Sequence, residues 1–137
     1  MVELSNIVDS ILRDLPETQA VYLFGSAARD TLLPSSDLDL AVLLPPLEAQ
    51  RVGNLSGGSL HLSLESMLSR DVDLINLREA STVFQKEIIT GGRLLLCRDA
   101  GAADEFEMHV LSLYQKLNAE RADIIRDGCS SGHFLKP

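Results

Sequence analysis

Two aspartates one residue apart, Asp37 and Asp39, stand ten residues after a Gly25-Ser26 pair, in the stretch LFGSAARDTLLPSSDLDLAVLL from Leu23 to Leu44. Apolar runs flank both halves. Val21 to Phe24 leads into the Gly-Ser turn, and Leu40 to Leu44 leaves the acidic pair. On a strand, residues at i and i+2 share a face with Cα atoms roughly 6.5 Å apart. Carboxylates that close repel each other in a dry site. Cations between them remove the conflict, and two metal ions about 4 Å apart clamp a transferring phosphoryl group. The Gly-Ser turn supplies backbone N–H groups and a hydroxyl, which suit a triphosphate. From background composition, a Gly-Ser-x10-Asp-x-Asp match arises by chance in about one chain of this size in a thousand. The bland alternative is a surface turn followed by solvated aspartates. The position of both halves at strand edges weighs against it.

Such chemistry needs a third acid near the attacking group. RDVDLINL, from Arg70 to Leu77, offers Asp71 and Asp73. Asp71 sits at the mouth of this apolar run beside Arg70, whereas Asp73 is embedded in it. A charge inside an apolar strand is costly unless it is paired or metal-bound, so Asp73 is the third acid. A carboxylate capping a neighbouring turn is the competing role. Arg29, one turn after Ser26, is placed to hold a triphosphate, although pairing with Asp30 would also satisfy it. Ser36, next to the acidic pair, completes the nucleotide-binding set of Gly25, Ser26, Arg29 and Ser36. Lys86 and Arg93 are better read as solvated, and His109 as a surface or interface histidine.

The elements that must carry these residues are legible in the apolar periodicity. Leu4, Ile7, Val8, Ile11, Leu12 and Leu15 recur at helical spacing until Pro16. A strand covers Ala20 to Phe24, and Ser26 to Asp30 opens a short helix whose N-terminal dipole faces the Gly-Ser turn. Pro34-Ser35-Ser36 is a turn, and Asp37 to Leu44 is a second strand. Leu47 to Ser69 is helical, broken at GNLSGGS from Gly53 to Ser59. Val72 to Leu77 is a third strand. Ser81 to Thr90 is a helix with Val83, Phe84, Ile88 and Ile89 inward, ended by Gly91-Gly92. Arg93 to Cys97 is a fourth, edge strand, with Cys97 a buried thiol. Asp99 to Asp104 is a linker, and Glu105 to Asp127 is the longest helix. Its stripe is Phe106, Val110, Leu113, Leu117 and Ile124, widened by Leu111 and Ile125. Short connections exclude a regular doubly wound sheet. They predict an α/β (α+β) fold in which a small mixed sheet is backed by helices on one side.

The whole has room for one domain, residues 1–127, with a disordered tail over 128–137. The chain has 137 residues, 45% of them hydrophobic, and a formal net charge of −8. An acidic chain does not itself attract phosphate backbones, so direct nucleic-acid binding is not expected. It does suit a basic protein partner. Cys97 and Cys129 lie far apart and the three histidines are scattered, which leaves no zinc motif. The N-terminus is charged and amphipathic, unlike a signal peptide, and no apolar run approaches 18 residues. A cytoplasmic protein that does not enter membranes is expected.

The Gly25-Ser26-x10-Asp37-x-Asp39 motif, with Asp73 on a later strand, resembles the DNA polymerase β nucleotidyltransferase superfamily. Together with VDLINLREAST and the helix SLYQKLNAERADII, it resembles the minimal nucleotidyltransferase (MNT) antitoxins of HEPN/MNT toxin–antitoxin pairs, over about Leu4 to Asp127. The resemblance implies the polymerase β-like fold with a long C-terminal helix. It implies transfer of AMP from ATP to a tyrosine of a cognate HEPN toxin, a basic helical ribonuclease, in a hetero-oligomer. Asp37 and Asp39 would bind two Mg²⁺ ions. Asp73 would share a metal and accept the tyrosine proton, and Gly25 and Ser26 would hold the phosphates. Asp30 departs from the glycine that many members carry after the arginine. Two other functions fit the same family: an antitoxin acting by steric occlusion, and a transferase acting on tRNA or a small molecule. The short chain leaves no second domain to hold the latter acceptors.

Overall fold

The computed structural model describes residues 4–25 and 38–130, with side chains over 5–25 and 38–120. Ser26, Arg29, Asp30, Ser36 and Asp37 lie outside the described residues, as do the short helix expected from Ser26 and the turn at Pro34.

The elements run α1 (Leu4–Asp14), β1 (Ala20–Phe24), β2 (Leu38–Leu43), α2 (Pro46–Val52), α3 (Ser59–Leu68), β3 (Val72–Asn76), a 3₁₀ turn (Leu77–Glu79), α4 (Thr82–Gly91), β4 (Arg93–Cys97) and α5 (Ala100–Ser130). The four strands form one mixed sheet in the order β3-β2-β1-β4. β1 is antiparallel to both β2 and β4, and β2 is parallel to β3.

Helices cover both faces of this sheet, not one. Val21 and Leu23 of β1, with Leu38, Leu40 and Val42 of β2, pack against Ile7 and Ile11 of α1 and Leu60 and Leu64 of α3. The alternate residues Ala20, Tyr22, Ala41 and Leu43 pack against Ile88 of α4 and Ala103, Phe106 and Val110 of α5. The physical reason is in β2: apart from Asp39, LDLAVL is apolar at every position, and a strand apolar on both faces needs cover on both.

The helix break expected at Gly53 is an ordered connection. Gly53 and Gly57 take φ of +64° and +79°. The Gly57 N–H donates to His61 Nδ1 at 2.7 Å, which leaves Nε2 to donate to the Val72 carbonyl at 2.6 Å. Glu65 Oε2 accepts from the Val72 N–H at 3.0 Å. Two side chains of α3 thereby clasp the peptide groups that open β3.

Other differences have local causes. Ser81 caps α4 by accepting from the Phe84 N–H at 3.2 Å. Val83 and Phe84 are exposed, while Gln85 is buried because its amide donates to the Leu77 carbonyl at 2.9 Å. The expected linker at Asp99 is a helix start: Asp99 Oδ1 accepts from the Ala102 N–H at 3.0 Å, the cap of α5. α5 continues through Ser130, so Gly128 to Ser130 belong to it rather than to a tail, and 131–137 lie outside the described residues. Cys97 is exposed, because β4 borders the sheet.

Candidate active site

The sheet brings two of the three predicted acids side by side. Asp39 of β2 is in register with Asp73 of β3 on one flank and with Phe24 of β1 on the other. Neighbouring strands lie about 4.8 Å apart, and paired residues point to the same face. The row Phe24-Asp39-Asp73 therefore crosses one end of the sheet on the α4/α5 side. Asp39 is half-buried and Asp73 exposed, so the row runs from the interior to the outer edge. The Leu38 N–H donates to the Asp71 carbonyl at 2.9 Å, so the backbone of Asp71 extends the ladder that aligns the acids.

Gly25 closes over this row. Its φ is +72°, a left-handed conformation that side chains disfavour. A β-carbon there would stand 2.2 Å from Asp39 Oδ2. Gly25 and the acid row are thus packed together. A second glycine serves close approach: a β-carbon on Gly92 would meet the Ile88 carbonyl oxygen at 2.4 Å and that of Leu23 at 3.0 Å, so the turn into β4 passes against β1.

Carboxylate oxygens are hard donors, and a pair facing one side suits a small divalent cation such as Mg²⁺. Among the described residues no group of three metal-ligating side chains is assembled. The predicted set needs Asp37, two residues before Asp39 and outside the described residues.

Of the weaker candidates, Arg93 is in register with Leu23, whose side chain packs on the opposite face. The Lys86 ammonium sits 4.8 Å from the centre of the Tyr114 ring. His109 is exposed on α5.

Two further residues, one beside the row and one at the far end of β3, were not singled out from the sequence. The Phe84 ring meets Phe24 edge to face, with centroids 5.7 Å apart. Asn76 ends β3 and is buried. Helical spacing assigned Phe84 to the core. Asn76 carries the same signal that selected Asp73, a polar group inside an apolar strand.

Arg78 binds the far end of the sheet. It donates to the Leu44 carbonyl and, at 3.0 Å, to Gln19 Oε1, and it lies 5.3 Å from the centre of the Phe106 ring. Burial pulls its guanidinium below its ordinary pKa. No helix among the described residues is long and apolar enough to cross a membrane.

The family described as Polymerase beta, Nucleotidyltransferase matches residues 6–101. The chain is 40% identical over 124 residues to the protein adenylyltransferase MntA of Shewanella oneidensis, covering 89% of this chain and 85% of that one. A crystal structure of a toxin–antitoxin with AMP-PNP contains a chain 34% identical, with a TM-score of 0.71 over 92% of this chain and 98% of that one. A structure of the tri-AMPylated Shewanella oneidensis HEPN toxin in complex with MNT antitoxin gives 33% identity and a TM-score of 0.64, over 90% of this chain and 93% of that one.

Proposed function

The chain belongs to the Polymerase beta nucleotidyltransferase family, and on that footing we propose that it transfers AMP from Mg-ATP to a tyrosine hydroxyl of a cognate HEPN ribonuclease toxin and thereby neutralises it. The observation that carries the reading is the in-register pair Asp39 and Asp73 under Gly25. The similarity to an adenylyltransferase and to a chain of an AMPylated toxin complex supplies the group transferred and the acceptor.

In this reading the Gly25-Ser26 turn binds the β- and γ-phosphates through backbone N–H groups and the Ser26 hydroxyl. Arg29 and Ser36 hold the nucleotide further. Asp73, on the exposed edge of the row, accepts the phenolic proton. The freed oxygen attacks the α-phosphorus, the bond from that phosphorus to the bridging oxygen breaks, and pyrophosphate leaves. Tyrosine ionises near pH 10 in water, so a base at the hydroxyl is needed at neutral pH. Asp37, Asp39 and Asp73 would hold Mg²⁺, which when bound supplies Lewis-acid stabilisation of the charge developing on the phosphoryl oxygens. Alignment of hydroxyl, phosphorus and leaving group accounts for much of the remaining acceleration.

The toxin has a surface to meet. Along α5, Met108 is 70% exposed and Leu111, Leu113 and Leu117 more than a third exposed, among Asp104, Glu105, Glu107 and Glu120. Apolar residues for affinity beside acids for encounter suit a basic helical partner. The test is AMP transfer: incubation with the toxin and Mg-ATP should add AMP-sized mass to the toxin. A mass increment on RNA or a small molecule would reject the toxin as acceptor.

A further inference from the structure

Val72, the residue before Asp73, turns its peptide groups to the border of the sheet. Among the described residues β3 pairs with β2 alone. The Leu38 N–H of β2 donates to the Asp71 carbonyl at 2.9 Å, so Asp71 directs its peptide groups at β2. Alternation along the strand gives Asp73 the same direction and sends the N–H and carbonyl of Val72 outward. Val72 is 3% exposed, and backbone groups beside so buried a side chain need partners.

α3 supplies both partners. His61 and Glu65 stand one turn apart on it. His61 Nε2 donates to the Val72 carbonyl at 2.6 Å, and Glu65 Oε2 accepts from the Val72 N–H at 3.0 Å. The same Nε2 lies 3.2 Å from Glu65 Oε2, which joins the two side chains. The Gly57 N–H donates to His61 Nδ1 at 2.7 Å and so keeps the ring proton on Nε2. The loop that carries Gly57 also reaches the other end of β3: the Asn76 amide donates to the Gly53 carbonyl at 2.8 Å and the Ala49 carbonyl at 2.9 Å. Asp73 lies between the two attachments.

The attachment is needed where it stands. Asp73 is in register with Asp39, and like charges directly opposed weaken the pairing of their strands at that row. We infer that His61 and Glu65 are positioning residues for the transfer reaction: by fixing the Val72 peptide they hold the Asp73 carboxylate beside Asp39. The loop from Gly53 to Ser59 anchors this brace through the Gly57 N–H. A group that must meet a hydroxyl and a phosphorus in line loses rate when it is displaced by a fraction of an ångström, whereas substrate binding elsewhere is untouched. This rests on the adenylyltransferase reading for the role of Asp73 and adds which residues hold Asp73 in place.

The test compares His61→Phe, which keeps an aromatic ring and removes both hydrogen bonds, with His61→Gln, whose amide nitrogen can still donate to the Val72 carbonyl. Thermal melts establish folding. If His61→Phe does not fold, Glu65→Ala, which removes the acceptor from the same peptide, takes its place. Two readouts follow. In hydrogen exchange, the Asp73 amide of His61→Phe should exchange about tenfold faster than in the wild-type chain, with the Val21 and Leu23 amides of β1 unchanged. In AMP transfer, kcat should fall about tenfold while KM for ATP and for the toxin stay within about twofold. His61→Gln should return both to within about threefold of wild type. Unchanged exchange at Asp73, unchanged kcat in the folded variant, or a glutamine variant no better than phenylalanine would each overturn the positioning role while the adenylyltransferase reading stands. If the wild-type chain transfers no AMP to the toxin, that reading fails, and hydrogen exchange still decides whether the brace holds Asp73.

Discussion

The backbone of Gly25 lies so close over Asp39 that a β-carbon would stand 2.2 Å from the carboxylate oxygen Oδ2. Gly25 and Asp39 are packed as a unit, and neither can shift alone.

Gly25→Ala therefore meets two penalties. The left-handed conformation disfavours any β-carbon by about 1–2 kcal/mol, and the methyl must push Asp39 aside. We expect a lower melting temperature and loss of Mg-ATP binding by calorimetry. An alanine variant with unchanged nucleotide affinity would place the triphosphate elsewhere.

Asp73→Asn separates catalysis from stability. Asp39 and Asp73 are directly opposed on adjacent strands, and like charges so placed destabilise a sheet by up to about 1 kcal/mol. In chelator, the variant should melt at or above the wild-type temperature, while AMP transfer is lost. A collapse of the fold would mean that Asp73 is structural.

These two sites differ in how far the sequence revealed them. Strand β1 and the edge strand β4 were legible to the residue, because apolar runs between turn signals leave few alternatives. Asp73 was legible because a charge inside VDLINL demands an explanation. Phe84 was not: helical spacing in STVFQKEII assigns Phe84 inward, yet the Gln85 amide takes the buried place by capping carbonyls across a turn. Cys97 was misplaced although β4 was expected at the edge: the apolar run Leu94 to Leu96 was read as burial, whereas a border strand leaves its residues partly open to solvent. The second layer of helices was not expected, although the signal stood in β2, whose alternate residues Ala41 and Leu43 need cover as much as Leu40 and Val42.

Tyr22 ties the sheet to α5. Its hydroxyl donates to Glu107 Oε2 at 2.6 Å, and burial, reinforced by that bond, pushes the phenol well above its ordinary pKa. A raised phenol pKa gives stability that is whole below pH 10 and falls as pH rises beyond it, because only the unfolded chain then releases the proton. Tyr22→Phe should lose about 1–3 kcal/mol at pH 8. The gap to wild type in denaturant melts should narrow above pH 10. A constant gap to pH 11 would contradict the role of this bond.

Leu113→Glu and Leu117→Glu probe the surface of α5 proposed to meet the toxin. Both positions are more than a third exposed, so melting should change by less than about 0.5 kcal/mol. Pull-down of the cognate toxin should weaken. Intact binding by both folded variants would move the interface off this helix.

The central claim is tested most directly by intact-mass spectrometry of the cognate toxin after incubation with this protein and Mg-ATP, in parallel with Asp39→Asn. The account predicts AMP-sized increments on the toxin, with loss of its ribonuclease activity, for the wild-type chain and none for the variant. Increments with Asp39→Asn, or complete inhibition by that variant without ATP, would contradict it.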